Sequence, residues 1–146
     1  MTVRRTLIGA IAFAAMFVGT AAHAATLTVY KSPSCGCCAK WIEHVEAHGF
    51  TVNTIHTDDM MAVKKQLGVA DKAMSCHTTK VANYVVEGHV PAGDIKRLLA
   101  QKPKARGIAV AGMPMGSPGM DMGGQQQPYA TMLIGPDGKM TVFARH

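Results

Sequence analysis

Aromatic residues make up only 5% of this 146-residue chain, and its 15 lysines and arginines, set against 9 acidic residues, are scattered instead of gathered into a stripe. Nucleic-acid binding needs clustered positive charge interleaved with stacking side chains, so that class of partner is excluded. A long apolar run is also missing. The stretch from Leu7 to Val18 falls short of the roughly 20 residues that cross a bilayer. It follows Arg4 and Arg5 and precedes Ala22-His23-Ala24, a small-x-small pattern. Residues 1–24 are therefore expected to be a signal peptide cleaved after Ala24, leaving no membrane span in the mature chain. The surroundings of the paired arginines match a twin-arginine signal poorly, so ordinary secretion is expected. Residues 25–146 suffice for one domain burying roughly two-thirds of its unfolded surface, with no room for a second.

What the remainder holds is a layered pattern. Leu27-Thr28-Val29-Tyr30 alternates as a strand, and Lys40–His48 carries helical periodicity until Gly49. Thr51–Thr57 is β-branched and strand-like, and Asp58-Asp59 caps a helix that Gly68 stops. Val81–Glu87 reads as a third strand, Asp94–Gln101 as a helix closed by Pro103, and Tyr129–Ile134 with Lys139–Ala144 as a hairpin around Gly135-Pro136-Asp137-Gly138. The expectation is an α/β (α+β) domain with a βαβα-β-α core, at least one parallel strand pair and a C-terminal β-hairpin. Gly107–Gln127, rich in Gly, Pro and Met, reads as a loop without regular structure, long enough to suggest function or mobility.

Chemistry concentrates at Cys35-Gly36-Cys37-Cys38, between the first strand and the first helix. Unpaired backbone N–H groups and the helix dipole favour thiolates there. Cys35 and Cys38 alone would form the C-x-x-C redox arrangement of thioredoxin-like proteins, with Cys35 as nucleophile and Cys38 resolving. Cys37 complicates that reading, since a third sulfur invites mispairing. A structural zinc site commonly uses two spaced pairs, and the second pair is absent. Bridging thiolates holding several soft ions, Cu(I) first among them, suit adjacent sulfurs better. Cys76 lies in the loop before the third strand, at the sheet edge where the first helix begins. It either completes a metal set of Cys35, Cys37, Cys38 and Cys76, pairs in a disulfide, or is inertly buried.

Secondary soft ligands are His77, beside Cys76, and the M-x-M pairs Met113/Met115 and Met120/Met122. The bland alternatives are a solvent-facing or thiolate-bonded His77 and methionines packed as gap fillers. Met60, Met61, Met74, Met132 and Met140 fall at core-like positions. His44 and His48 have the i, i+4 spacing that can bind zinc or Cu(II) but read as surface, His89 sits in a turn that could approach the sheet end where the cysteines gather but reads as exposed, and Trp41 reads as a core anchor.

Taken together, Ser34–Cys38 with Trp41, Ser75-Cys76-His77-Thr78, Glu87-Gly88-His89-Val90-Pro91 and Gly112–Met120 resemble the CopG-type family of small exported copper-resistance proteins. The resemblance covers nearly the whole mature chain. It implies a thioredoxin-like fold, a periplasmic location, and a cysteine-bridged cluster of copper ions on sulfurs matching Cys35, Cys37, Cys38 and Cys76. It also implies a role in copper resistance and homeostasis and leaves copper redox activity open. Copper ions and other periplasmic copper-handling proteins are the expected partners. Binding is the leading expectation, and a thiol-disulfide oxidoreductase using Cys35 and Cys38 is its rival.

Overall fold

A computed structural model describes residues 24–121 and 123–146; the expected signal peptide up to residue 23 and Met122 lie outside the described residues. The chain runs β1 (Thr26–Lys31), α1 (Gly36–Ala47), β2 (Thr51–His56), α2 (Met60–Gln66), a 3-10 turn (Asp71–Ala73), β3 (Thr78–Val81), β4 (Tyr84–Glu87), α3 (Ala92–Gln101), β5 (Gly107–Ala109), β6 (Ala130–Ile134) and β7 (Met140–Arg145). The strands form one mixed sheet in the order β2-β1-β3-β4-β5-β6-β7. Pairs β1/β2 and β4/β5 are parallel and the rest antiparallel. Among the described residues this is a mixed α/β fold of three helices and seven strands.

The central strands of the sheet are covered on both faces. On one, Trp41 and Val45 of α1 and Ile95 and Leu98 of α3 pack on Leu27, Val29, Val86 and Ile108. On the other, Val69, Ala73 and Met74 pack on Val85, Ala109 and Ile134. Neighbours Val85/Val86 and Ile108/Ala109 fall into opposite clusters because successive strand side chains point to opposite faces. Trp41 is fully buried, as expected of a core anchor, and its indole N–H donates to the Val90 carbonyl at 2.9 Å.

The helices keep their expected places. Asp59 caps α2 by accepting the Ala62 N–H at 2.9 Å, and α3 begins two residues earlier than expected, at Ala92.

Three expectations need correction. The third strand is two strands, since Ala82 and Asn83 turn the chain between Val81 and Tyr84, with Ala82 at φ +49°. Neither residue is glycine or proline, and Asn83 is the sole mark of the break in the sequence. Gly107–Ala109, assigned to the long loop, is a buried strand pairing with both β4 and β6. It is too short for its period to show, and Gly107 is needed because a Cβ there would run into the Val85 backbone. Met61, expected in the core, is 60% exposed.

The Ala82 backbone sits in a left-handed region that glycine occupies without steric cost. Ala82→Gly should therefore stabilise the fold by about 0.5–1 kcal/mol, read as a rise of a few degrees in Tm. An unchanged or lowered Tm would contradict a strained turn.

Candidate metal centre

The sheet topology brings the cysteines together. Strands β1 and β3 are antiparallel, with Tyr30 opposite Thr78, so the end of β1 and the start of β3 meet at one edge. The Cys35–Cys38 loop leaves that end of β1, and Cys76-His77 leads into that start of β3. Cys35 is the N-cap of α1, and Cys37 and Cys38 lie in its first turn, where no acidic side chain opposes a thiolate. The four sulfurs lie within 4.8 Å of one another.

Their bonding is unequal. Cys35 and Cys38 are joined as a disulfide, and Cys37 and Cys76 are free thiols. Cys37 Sγ lies 3.5 Å from Cys35 Sγ and 3.9 Å from Cys76 Sγ, and Cys76 Sγ lies 3.4 Å from Cys38 Sγ. Burial, reinforced by the neighbouring Cys37 sulfur, pushes the Cys76 thiol up to about 12, while the Ser75 hydroxyl pulls weakly the other way. A proton held that firmly must be displaced when a metal binds.

Two imidazoles complete the cluster. His89 is fully buried, which corrects its reading as an exposed turn residue. Gly88 (φ +74°) lets the turn fold inward, where a Cβ would strike Ser75 and the Val110 carbonyl. His89 Nδ1 lies 2.7 Å from the Pro118 carbonyl, which can only accept, so Nδ1 carries the proton. Burial keeps the ring below its usual pKa and therefore neutral. Its Nε2 lone pair thus faces Cys76 Sγ at 2.9 Å. A backbone carbonyl that fixes the tautomer of a ligand histidine in this way is the usual partner of metal-binding imidazoles.

His77 is also fully buried, so it does not face solvent; its Nδ1 lies 3.3 Å from Cys76 Sγ. Burial first, then His89, Lys64 and Lys31, hold it well below the ordinary histidine value. Its Nε2 has no hydrogen-bond partner among the described residues. Cys76, His77 and His89 form a second overlapping group whose ligand atoms lie within 4.8 Å. The only sequence signal for His89 is its Gly88-His89-Val90-Pro91 setting.

The methionine-rich segment lies over this centre through its backbone. Pro118 holds His89, and Gly119 (φ +84°) lies so close to α1 that a Cβ would come 2.6 Å from the Cys37 carbonyl and 2.9 Å from the Trp41 nitrogen. Met115 and Met120 are half-buried and Met113 is 51% exposed. His44, read as surface, is partly buried and accepts the Ala92 N–H at 3.2 Å, whereas His48 is exposed.

Beneath the Cys76 loop, Glu87 is buried, a partner that composition and periodicity do not disclose. It accepts from Lys64 Nζ at 2.5 Å, from the Ser75 N–H at 2.7 Å and from the Thr78 hydroxyl at 2.7 Å. Burial pushes its carboxyl above the usual carboxylate value, and Lys64 offsets only part of that rise.

The fold and the site define a class of protein: a mixed α/β domain with a cysteine/histidine cluster able to bind metal. The family described as a protein of unknown function, DUF411, matches residues 73–120, which include Cys76, His77 and His89. A solved structure of copper resistance protein CopG, form 2, is 42% identical with a TM-score of 0.81, covering 84% of this chain and 98% of its own. Form 1 of the same protein is 44% identical with a TM-score of 0.78, covering 83% and 96%. No curated protein matches the sequence significantly. The chain belongs to the family of copper resistance protein CopG.

Two measurements follow. Denatured without reductant, the protein should expose two titratable thiols per chain, and four after reduction; four thiols before reduction would refute the Cys35–Cys38 bond. Lys64→Met should cost about 3–5 kcal/mol in urea unfolding by stranding the buried Glu87 carboxylate, and Lys64→Met with Glu87→Leu should recover most of that loss. A cost below about 1 kcal/mol for the single variant would show that the pair is not structurally important.

Proposed function

We propose that the protein is a periplasmic copper-binding protein of copper resistance and homeostasis, which holds several Cu(I) ions on the thiolates of Cys35, Cys37, Cys38 and Cys76. The observation that carries this reading is the convergence of four sulfurs and the His89 lone pair within one small volume. Thiolate and imidazole are soft and borderline donors, and adjacent sulfurs such as Cys37 and Cys38 suit bridging between ions better than chelating one. Copper is the cargo, and the CopG relatives, named for copper resistance, favour it over zinc. Loading requires that the Cys35–Cys38 disulfide first be reduced, since a disulfide sulfur is not a thiolate. His89 and His77 are the nitrogen ligands nearest Cys76, Met113, Met115 and Met120 are secondary thioether donors in the overlying loop, and Met122 joins them on its sequence pairing with Met120 alone. The scaffold reads as thioredoxin-like, supported by the β1-α1-β2-α2-β3-β4-α3 succession in the order β2-β1-β3-β4 with C-x-x-C at the start of α1. The periplasmic location rests on the signal-peptide reading of residues 1–24. No helix among the described residues is long and apolar enough to cross a membrane.

The Cys35–Cys38 disulfide at the start of α1 favours a second reading, a thiol-disulfide oxidoreductase with Cys35 attacking and Cys38 resolving.

Anaerobic reconstitution of reduced protein with Cu(I), followed by elemental analysis and native mass spectrometry, should give more than one copper per chain. Cys37→Ser should lower that ratio sharply. One copper per chain, unaffected by Cys37→Ser, would defeat the cluster. Insulin reduction by metal-free protein that needs Cys35 and Cys38 but tolerates loss of Cys37 and Cys76 would establish the second reading instead.

A further inference from the structure

We propose that Lys31 is the counter-charge of the sulfur centre: its buried ammonium stabilises the net negative charge of the reduced, partly loaded cysteines and so strengthens Cu(I) binding. This rests on the copper reading of the site and adds to it a residue that cannot itself be a ligand, since an ammonium has no lone pair. Strand β1 alternates so that Leu27, Val29 and Lys31 are buried together on the face that α1 covers. The third inward position therefore holds a lysine where the pattern calls for an apolar side chain, and Lys31 is only 4% exposed. Breaks of this kind in an otherwise consistent strand belong to functional sites.

A cation withdrawn from water needs an anionic partner. The other buried lysine, Lys64, has one in Glu87 at 2.5 Å. Lys31 has no carboxylate partner among the described residues. Its Nζ donates to the Ser32 carbonyl at 2.8 Å and, more weakly, to that of Pro33 at 3.4 Å. The Ser32 carbonyl also accepts the Cys35 N–H at 3.2 Å, so one oxygen joins the ammonium to the first residue of the sulfur-bearing turn. Cys35 is the N-cap of α1, and the positive end of the helix dipole faces the same turn. Two positive features without an anion repel each other in the metal-free, disulfide-bonded protein. Around a negative centre they act together. The field of Lys31 also reaches the other half of the site, because it is among the charges that hold the His77 imidazole low, and His77 faces Cys76. Each thiolate contributes one negative charge and each Cu(I) one positive charge, so every load with fewer ions than thiolates leaves the centre anionic.

The test compares the full mature chain with Lys31→Met, which keeps the length of the side chain and removes its charge, and with Lys31→Gln, which keeps a donor for the Ser32 carbonyl. Reduced, anaerobic protein is first titrated with a single equivalent of Cu(I) against a chromophoric Cu(I) chelator. Both variants are expected to bind about tenfold or more weakly than the parent, the size of a fixed charge acting across a part-buried site. Metal-free, disulfide-bonded protein is then melted. Lys31→Met is expected to melt a few degrees higher, because it loses an ammonium that has no partner there. A lysine needed only for the fold moves affinity and Tm down together, whereas a counter-charge moves them in opposite directions. Unchanged Cu(I) affinity in Lys31→Met overturns the proposal, as does parent affinity in Lys31→Gln, which would assign the effect to the hydrogen bond and not the charge. A lowered metal-free Tm, or a Lys31→Met chain that does not fold, overturns it as well. Parent protein that takes up no Cu(I) defeats the copper reading instead; the metal-free melting comparison needs no copper and still decides, a rise supporting an ammonium that lacks its anion and a fall overturning it.

Discussion

The buried carboxylate of Glu87 is the point on which the centre depends. Its two oxygens receive an ammonium from α2, a backbone N–H from the Cys76 loop and a hydroxyl from β3, while Glu87 itself ends β4. Helix α2, the Cys76 loop running into β3, and the end of β4 are thereby fixed to one charge. A carboxylate withdrawn from water is tolerated only when its lone pairs are filled, so the geometry of these segments is specified together. Ser75 is bound directly and Cys76 is its neighbour, so the position of the Cys76 sulfur follows from an ion pair rather than from loop packing. Ser75 also reaches the Gly112 carbonyl, which ties the start of the methionine-rich segment to the same anchor.

The other half of the centre is held by helix and sheet. Strand β1 delivers the Cys35–Cys38 turn to the sheet edge, and Trp41 locks α1 against the Val90 carbonyl one residue after His89. The sulfur-bearing turn and the imidazole-bearing turn are thus joined by one buried hydrogen bond. The methionine-rich segment closes the arrangement from above, because Pro118 sets the proton on His89 and Gly119 lies flat on α1. Sulfur, nitrogen and backbone contributions come from separate parts of the chain and meet in a volume with little freedom to rearrange.

Much of this was legible in the residues. The order of strands and helices, the cap at Asp59, the C-terminal hairpin and the meeting of Cys76 with the three clustered cysteines follow from periodicity, turn chemistry and the adjacency of β1 and β3. What escaped has physical causes. The Ala82-Asn83 turn carries none of the usual glycine or proline, and β5 is three residues long, too few to reveal an alternation. His89 and Glu87 are polar residues whose burial depends on partners far away in sequence, and neither hydropathy nor spacing reports such pairing. The buried Lys64 is hidden for the same reason, since a lysine in an amphipathic helix normally reads as solvated. The CopG-type stretches contain Glu87 and His89, so resemblance flagged the segment even though composition could not assign the roles.

The placement of Trp41 gives the molecule one more property. Its indole ring stands 4.4 Å from the His77 imidazole, which in turn faces Cys76. The chain holds a single tryptophan, so its tryptophan emission arises from one spot, a single side chain away from the sulfurs. Light emitted by the protein itself is thereby a native gauge of what occupies the centre, readable without any attached dye.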